Sequence, residues 1–387
     1  MIHLQPDLPR ILFIFSDTGG GHRSAAQAII EAIQLEFPDR FDCQMVDIFR
    51  SYMPTPLKYA PEIYPPLSRM PELWELGYRA SDGPRRKRLI DSATYPYISR
   101  ALKRFIRENP CELFVSVHQM VNTPMLKALA GSATPFVTVV TDMVSTHAFW
   151  YDTRATKVIV PTQAAYQRGL CMGLRPEQME VVGMPVAERF CQPLAEKKEL
   201  RRHLNWDTNM PIVLLVGGGE GMGPLAKTAR AINEAQLPIS LVVVTGRNRQ
   251  IKAELENLSW NIPAYVYGFV TQMPEFMRAA DILVTKAGPG TISEAFIAQL
   301  PMILYSKMPG QEDGNVDFVV KEEAGIWAPT PGRVVAALRY WLEHPDAREK
   351  AVESCRRLAR PQASRQIARI LAAQVNVRYQ EKVYADS

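Results

Sequence analysis

His22 is the side chain whose placement first suggests chemistry. It follows Asp17-Thr18-Gly19-Gly20-Gly21 and stands at the mouth of Ser24–Phe37, a stretch with helical patterning. An imidazole with an exposed edge there can take a proton from a hydroxyl near neutral pH. A histidine that only caps or packs the helix is the other reading; the three preceding glycines favour the chemical one. A second group is Thr285-Lys286-Ala287-Gly288-Pro289-Gly290-Thr291-Ile292-Ser293-Glu294. A tight turn there opens a helix whose first N–H groups can hold phosphate. Glu294, one turn in, can accept two hydrogen bonds from ribose hydroxyls. The loop Pro309-Gly310-Gln311-Glu312-Asp313-Gly314-Asn315 offers carboxylates and amides suited to sugar hydroxyls. For Glu312 and Asp313 an ordinary exposed turn is the alternative.

Several chemistries lack their residues. Neither glycine loop spells G-x-G-x-x-G, and Thr245-Gly246-Arg247 brings no acid for a dinucleotide ribose. Asp47, at the end of the second strand, keeps that idea just open. No G-K-[S/T] follows either loop, no cluster has metal-ligand spacing, and no Asp-x-Asp pair exists. A bound diphosphate would then be neutralised by helix N-termini, backbone N–H groups, Arg247 and Lys286, with no metal and no cofactor.

These groups need a frame, and the sequence repeats one. Arg10–Phe15 is a buried-strand run leading through Gly19-Gly20-Gly21 into Ser24–Phe37. Pro211–Val216 leads likewise through Gly217-Gly218-Gly219-Glu220-Gly221 into Leu225–Ala235. Strand, glycine loop and helix open a nucleotide-binding α/β domain. Further strands are predicted at 42–48, 113–117, 136–141, 157–160, 180–182, 239–245, 264–267, 282–285 and 302–305, with helical patterns between most of them. The 387 residues suit two domains. The expected division is 1–188, 189–345 and a basic helical tail, 346–387, packed back on the first domain or facing solvent.

Gly83–Arg107 holds eight basic residues (Arg85, Arg86, Lys87, Arg88, Arg100, Lys103, Arg104, Arg107) against one acid, Asp91. An anionic partner or a solvated helix face both fit. The neighbouring Ser51–Arg79 carries six prolines with Tyr52, Tyr59, Tyr64, Trp74 and Tyr78, as a membrane-interface contact or an ordered lid would. No apolar run reaches the ~20 residues of a membrane span. Five scattered cysteines read as reduced thiols, and the first residues lack a signal-peptide pattern. The placement expected from these features is cytoplasmic, peripheral on the inner face of the cell membrane.

The ordered set GGGHR, SVH, VTD, GGGEGMGP, TKAGPGTISEA and PGQEDGN resembles monogalactosyldiacylglycerol synthases and bacterial diacylglycerol glucosyltransferases. These are inverting GT-B enzymes related to the GlcNAc transferase of the peptidoglycan lipid intermediate, and the resemblance covers Ile11 to Gly325. It implies an α/β fold of two Rossmann-like, doubly wound domains facing a cleft. The first would bind the lipid acceptor and the second a UDP-sugar. His22 falls at the catalytic-base position, and Gly20, Gly21 and Asp142 fall on the acceptor side. Glu294 corresponds to the ribose-binding acid. Gly219, Gly221, Gly288, Gly290 and Thr291 fall in diphosphate loops, Phe269 and Val270 where uracil is read, and Gln311, Glu312 and Asn315 where the sugar is read. The implied reaction moves galactose, or glucose, from UDP to diacylglycerol, with anionic lipids and no nucleic acid as partners. A polyprenyl-linked acceptor, a UDP-sugar epimerase and a non-catalytic nucleotide-sugar-binding protein are the rivals.

Overall fold

The computed structural model describes residues 8–17, 21–63, 70–193, 195–221 and 223–385. The chain divides into two compact units. The first holds residues up to Glu188 with Pro309–Gln311 and the chain from Gln362; the second holds Arg189–Met308 and Glu312–Pro361.

The first unit is built on six parallel strands: β1 (Arg10–Phe15), β2 (Asp42–Asp47), β3 (Leu113–Ser116), β4 (Phe136–Val139), β5 (Lys157–Val160) and β6 (Met179–Val181). Their order is β2-β1-β3-β4-β5-β6. Ile11, Leu12, Phe13 and Ile14 are all fully buried. A strand reads as a continuous apolar run when helices cover both faces of its sheet. One face packs on Ile98, Leu102, Phe105 and Trp150, the other on Ile29, Ala32 and Ile33 of the helix Gly21–Glu36.

The second unit repeats the plan with β7 (Ile212–Val216), β8 (Ser240–Val244), β9 (Ala264–Tyr267), β10 (Ile282–Lys286), β11 (Met302–Ser306) and β12 (Gly325–Trp327). The order is β12-β11-β10-β7-β8-β9, all parallel. β12 has no counterpart among the predicted strands; three half-buried residues starting with glycine give too short an apolar signal.

Each order reverses direction once, between β1 and β3 in the first sheet and between β7 and β10 in the second. At such a switch point the loops after the two strands diverge to opposite faces and leave a crevice at the strands' carboxyl ends. The loops after β1 and β3 carry Gly21-His22 and His118; those after β7 and β10 carry Gly217–Gly221 and Ala287–Thr291. Topology alone therefore selects the segments that the motifs singled out.

The stretch read as a tail is shared between the units. Helix Pro345–Leu358 groups with the second, whereas helix Ala363–Ala385 groups with the first. Ile367, Ala368, Leu371 and Val375 join the core facing Ile29 and Ile33. Arg365 pairs with Glu36 and Glu188, and Arg369 with Glu36. Ser51–Arg79 is also more regular than its prolines suggest. It includes the end of helix Ile48–Tyr52, a 3-10 turn at Leu57–Tyr59 and most of helix Pro71–Ser81, where Pro71 occupies the first turn and so loses no hydrogen bond. Tyr64, Pro65 and Pro66 lie outside the described residues.

Candidate functional site

In the first unit the helix Gly21–Glu36 starts earlier than the sequence pattern suggests, so His22 already lies in its first turn. Gly20, expected beside it, lies outside the described residues. Arg23 grips Asp17 through two hydrogen bonds of 2.7 and 2.6 Å, with its guanidinium 4.5 Å from the Phe15 ring. This ties the chain leaving β1 to the new helix. Asp47, the acid that kept a dinucleotide reading open, is occupied. It accepts from the N–H groups of Asp17, Phe49 and Arg50, holding the loop and capping the next helix.

His22 is half-buried, and its Nδ1 lies 3.0 Å from Thr141 Oγ1. The Thr141 hydroxyl donates to the Val117 carbonyl at 3.4 Å, so its oxygen is available to accept from the ring. That assigns the proton to Nδ1 and leaves the lone pair on Nε2. The ring meets His118 edge-on at 4.6 Å and lies 6.2 Å from Trp150. Burial pushes the His22 imidazole down to about 4, against the raising effect of a hydrogen bond with the Val117 backbone. Burial, with His22 beside it, holds His118 well below the ordinary histidine range. Both rings are neutral at pH 7. Asp142 is buried and its Oδ2 accepts from Trp150 Nε1 at 2.7 Å, so this carboxylate organises the wall beside His22. Thr141, His118 and Trp150 carry no role in the sequence reading; their signal is that β1 and β4 both flank β3.

In the second unit, Gly221 has φ +60, and a Cβ there would stand 2.3 Å from the Thr245 carbonyl oxygen. Only glycine lets the β7 loop fold onto the β8 loop, where Arg247 N–H donates to the Gly219 carbonyl at 2.9 Å. Arg247 pairs with Glu220 at 2.8 Å and covers the Phe269 ring at 4.7 Å; both Arg247 and Phe269 are exposed, and Val270 is half-buried. Gly288 caps the helix Pro289–Ile297, and a Cβ on Gly290 would meet nothing within 4 Å. The first-turn N–H groups around Gly290 and Thr291 thus have clear approach for an anion. Lys286 Nζ lies 2.7 Å from Glu312 Oε1. Asn315 donates to the Ala287 carbonyl at 2.9 Å, while its buried Oδ1 has no hydrogen-bond partner among the described residues.

Glu294 has no hydrogen-bond donor on its half-buried carboxylate among the described residues. Burial pushes it up to about 7, partly offset by the Arg189 charge. An acceptor held in that state gains most from a ligand that brings its own donors. Gln311 groups with the first unit, apart from the other donor-loop residues. No group of three or more His, Cys, Asp or Glu placed to hold a metal occurs among the described residues.

The basic run needs correction at Lys87. Helix Pro84–Glu108 leaves Arg85, Arg86 and Arg88 exposed but buries Lys87. Its Nζ meets Asp91 at 3.2 Å, Asp152 at 3.7 Å and the Thr123 hydroxyl. A buried ammonium with two carboxylates is an internal ion cluster, closed to an outside anion. Leu89 (72% exposed), Leu76 (66%) and Leu73 (49%) stand out on this helix and on Pro71–Ser81. No described helix is long and apolar enough to cross a membrane.

Two six-stranded parallel α/β units in one chain, each with a glycine loop at its switch point, define the GT-B class of nucleotide-sugar enzymes. The fold is shared with Acinetobacter baumannii MurG (TM-score 0.62, 16% identity, 94% of this chain and 100% of that one). It is shared equally with a UDP-GlcNAc 2-epimerase from Neisseria meningitidis bound to UDP-GlcNAc (TM-score 0.62, 11% identity, 94% and 100%), so this likeness bears on fold alone. The family resolves the choice. Residues 22–186 match the model for monogalactosyldiacylglycerol (MGDG) synthase and 212–351 that for the glycosyltransferase family 28 C-terminal domain. Monogalactosyldiacylglycerol synthase 1 of Arabidopsis thaliana is 35% identical over 374 residues, 93% of this chain and 70% of that one. The Spinacia oleracea synthase is 36% identical over 374 residues, 93% and 72%. The chain belongs to the monogalactosyldiacylglycerol synthase family and is a glycosyltransferase.

These relatives are chloroplastic by name, which overturns the expectation of a cytoplasmic protein on the inner face of the cell membrane.

Proposed function

We propose that this chain transfers galactose from UDP-galactose to the free hydroxyl of 1,2-diacylglycerol, inverting the anomeric centre to give a β-galactolipid. His22 is the base. Thr141 holds the Nδ1 proton, so Nε2 faces the acceptor as a neutral lone pair. A ring that titrates at about 4 is unprotonated throughout the neutral range, at the cost of being a weaker base. The acceptor hydroxyl becomes acidic as its oxygen bonds to the anomeric carbon, so proton transfer follows bond formation. In the second unit Glu294 takes the ribose hydroxyls. Lys286 and the N–H groups of Gly290 and Thr291 stabilise the UDP that leaves. None of these steps draws on a metal or a cofactor.

The exposed Arg85, Arg86 and Arg88 of helix Pro84–Glu108 attract anionic lipid, and the exposed Leu73, Leu76 and Leu89 of this helix and of Pro71–Ser81 enter the interface. The observation that carries the catalytic reading is the 3.0 Å contact between His22 Nδ1 and Thr141 Oγ1 in a chain of this family. Purified protein incubated with labelled UDP-galactose or UDP-glucose, with and without diacylglycerol vesicles, tests it. Galactolipid formed only when diacylglycerol is present is expected. Free galactose as the main product, or transfer only to a polyprenyl-linked acceptor, would refute it.

A further inference from the structure

The loop Gly310–Asn315 is where sugar-reading groups are expected, and Glu312 looks like the most capable of them. Its surroundings give it different work. The side chain is 5% exposed, and both carboxylate oxygens are engaged: Oε1 by Lys286 Nζ at 2.7 Å and Oε2 by the Met308 N–H, also at 2.7 Å. No lone pair aimed at a hexose hydroxyl needs to be invoked to satisfy it. The lysine it holds lies between the two glycine loops. A Cβ on Gly288 would stand 2.9 Å from Lys286 Nζ, and one on Gly218 would stand 3.5 Å from Lys286 Cε. The absence of side chains at these glycines is what lets the lysine lie there. The lysine stem is flexible and loses rotamer freedom whenever its ammonium is fixed.

We propose that Glu312 is a positioning residue that pre-orders Lys286 between the Gly217–Gly219 and Gly288–Thr291 loops for a nucleoside diphosphate, and that it does not read the sugar. The inference rests on the donor-site reading above. It separates two roles that a carboxylate in a sugar loop would otherwise merge: anchoring the cation for the diphosphate, and choosing between hexoses.

The test is a double-mutant cycle on the full chain, with UDP and uridine as probes. Lys286→Met should weaken UDP binding by about 10- to 100-fold, the range of one charged hydrogen bond, and leave uridine binding unchanged. Glu312→Gln keeps the shape and an acceptor for the Met308 N–H but removes the charge that holds the lysine. It should weaken UDP about tenfold, again without affecting uridine. In the Lys286→Met background it should cause no further loss, and a gain is expected, because the carboxylate left behind repels the diphosphate. Unchanged uridine affinity shows that each variant is folded. The ratio of kcat/KM for UDP-galactose over UDP-glucose should stay constant in Glu312→Gln. Additive effects of the two substitutions, or a changed hexose ratio with intact UDP affinity in Glu312→Gln, would overturn this assignment while leaving the donor site standing. Wild-type protein that binds neither UDP nor uridine would remove the donor site itself, and this assignment with it.

Discussion

Replacing Glu294 by glutamine probes the donor site through a single buried carboxyl. The carboxyl sits one turn into Pro289–Ile297, finds no donor among the described residues, and is pushed by burial up to about 7. At neutral pH the free protein therefore holds that proton about half the time. Ribose hydroxyls donate to the ionised form, so binding pulls the titration down and expels the proton. Affinity should rise with pH up to about 7 and then level off; between pH 8 and pH 6 the loss is about tenfold if only the ionised form binds. Uridine is the ligand of choice because it lacks a phosphate that titrates in the same window. Calorimetry in two buffers of different ionisation heat should count about half a proton released near pH 7. Glu294→Gln should release none, lose the pH dependence, and at pH 8 bind about 10- to 100-fold more weakly, matching ~1.5–3 kcal/mol for a charged hydrogen-bond partner.

The same carboxyl fixes a stability trend of opposite sense. Its folded-state value is raised, so between the ordinary 4.5 and about 7 the folded protein keeps a proton that the unfolded chain gives up. Stability then falls as pH rises through that window, by at most about 3 kcal/mol. Glu294→Gln should melt higher than wild type at pH 8 and no higher at pH 5. Uridine affinity that is flat from pH 6 to 8 in wild type, or equal in wild type and variant at pH 8, would refute the ribose assignment.

His22→Ala should lower kcat by about 10²–10⁴ with UDP affinity unchanged, and the acid limb of the wild-type kcat profile should fall only below about pH 5; steady-state rates and UDP titration check both. Thr141→Val removes the partner of Nδ1 and should cut kcat with little change in KM for the donor, whereas Thr141→Ser should restore the rate. Changing Arg85, Arg86 and Arg88 together to serine should reduce co-sedimentation with phosphatidylglycerol vesicles at low salt and leave UDP binding intact. Lys87→Met, by contrast, should leave vesicle binding per folded molecule unchanged and destabilise the fold by about 3–5 kcal/mol in denaturant titration, because the buried Asp91 loses its cation while Asp152 keeps Arg154.

Strand, glycine loop and helix were legible twice because each rests on a local pattern: a buried aliphatic run, then glycines, then helical spacing. The switch points were not, since strand order depends on which crossover packs on which face. His22 was therefore visible while Thr141, which fixes its tautomer, was not; they stand 119 positions apart and meet only because β1 and β4 both flank β3. Lys87 shows the converse failure. A run of four basic residues looks uniform in sequence, yet one helical turn points Arg85, Arg86 and Arg88 outward and Lys87 toward Asp91, one turn further along. Glu312 shows the same limit: its type suits a sugar hydroxyl, and the sequence gives no sign of its 2.7 Å contact with Lys286, 26 positions earlier. In each case residue type supplied the chemistry that was possible, and the fold decided which partner reached it: sheet order for His22, helical spacing for Lys87. A motif thus locates a site more securely than it assigns labour within one, and the residues whose assignments moved here are the charged ones, whose role depends on the nearest opposite charge.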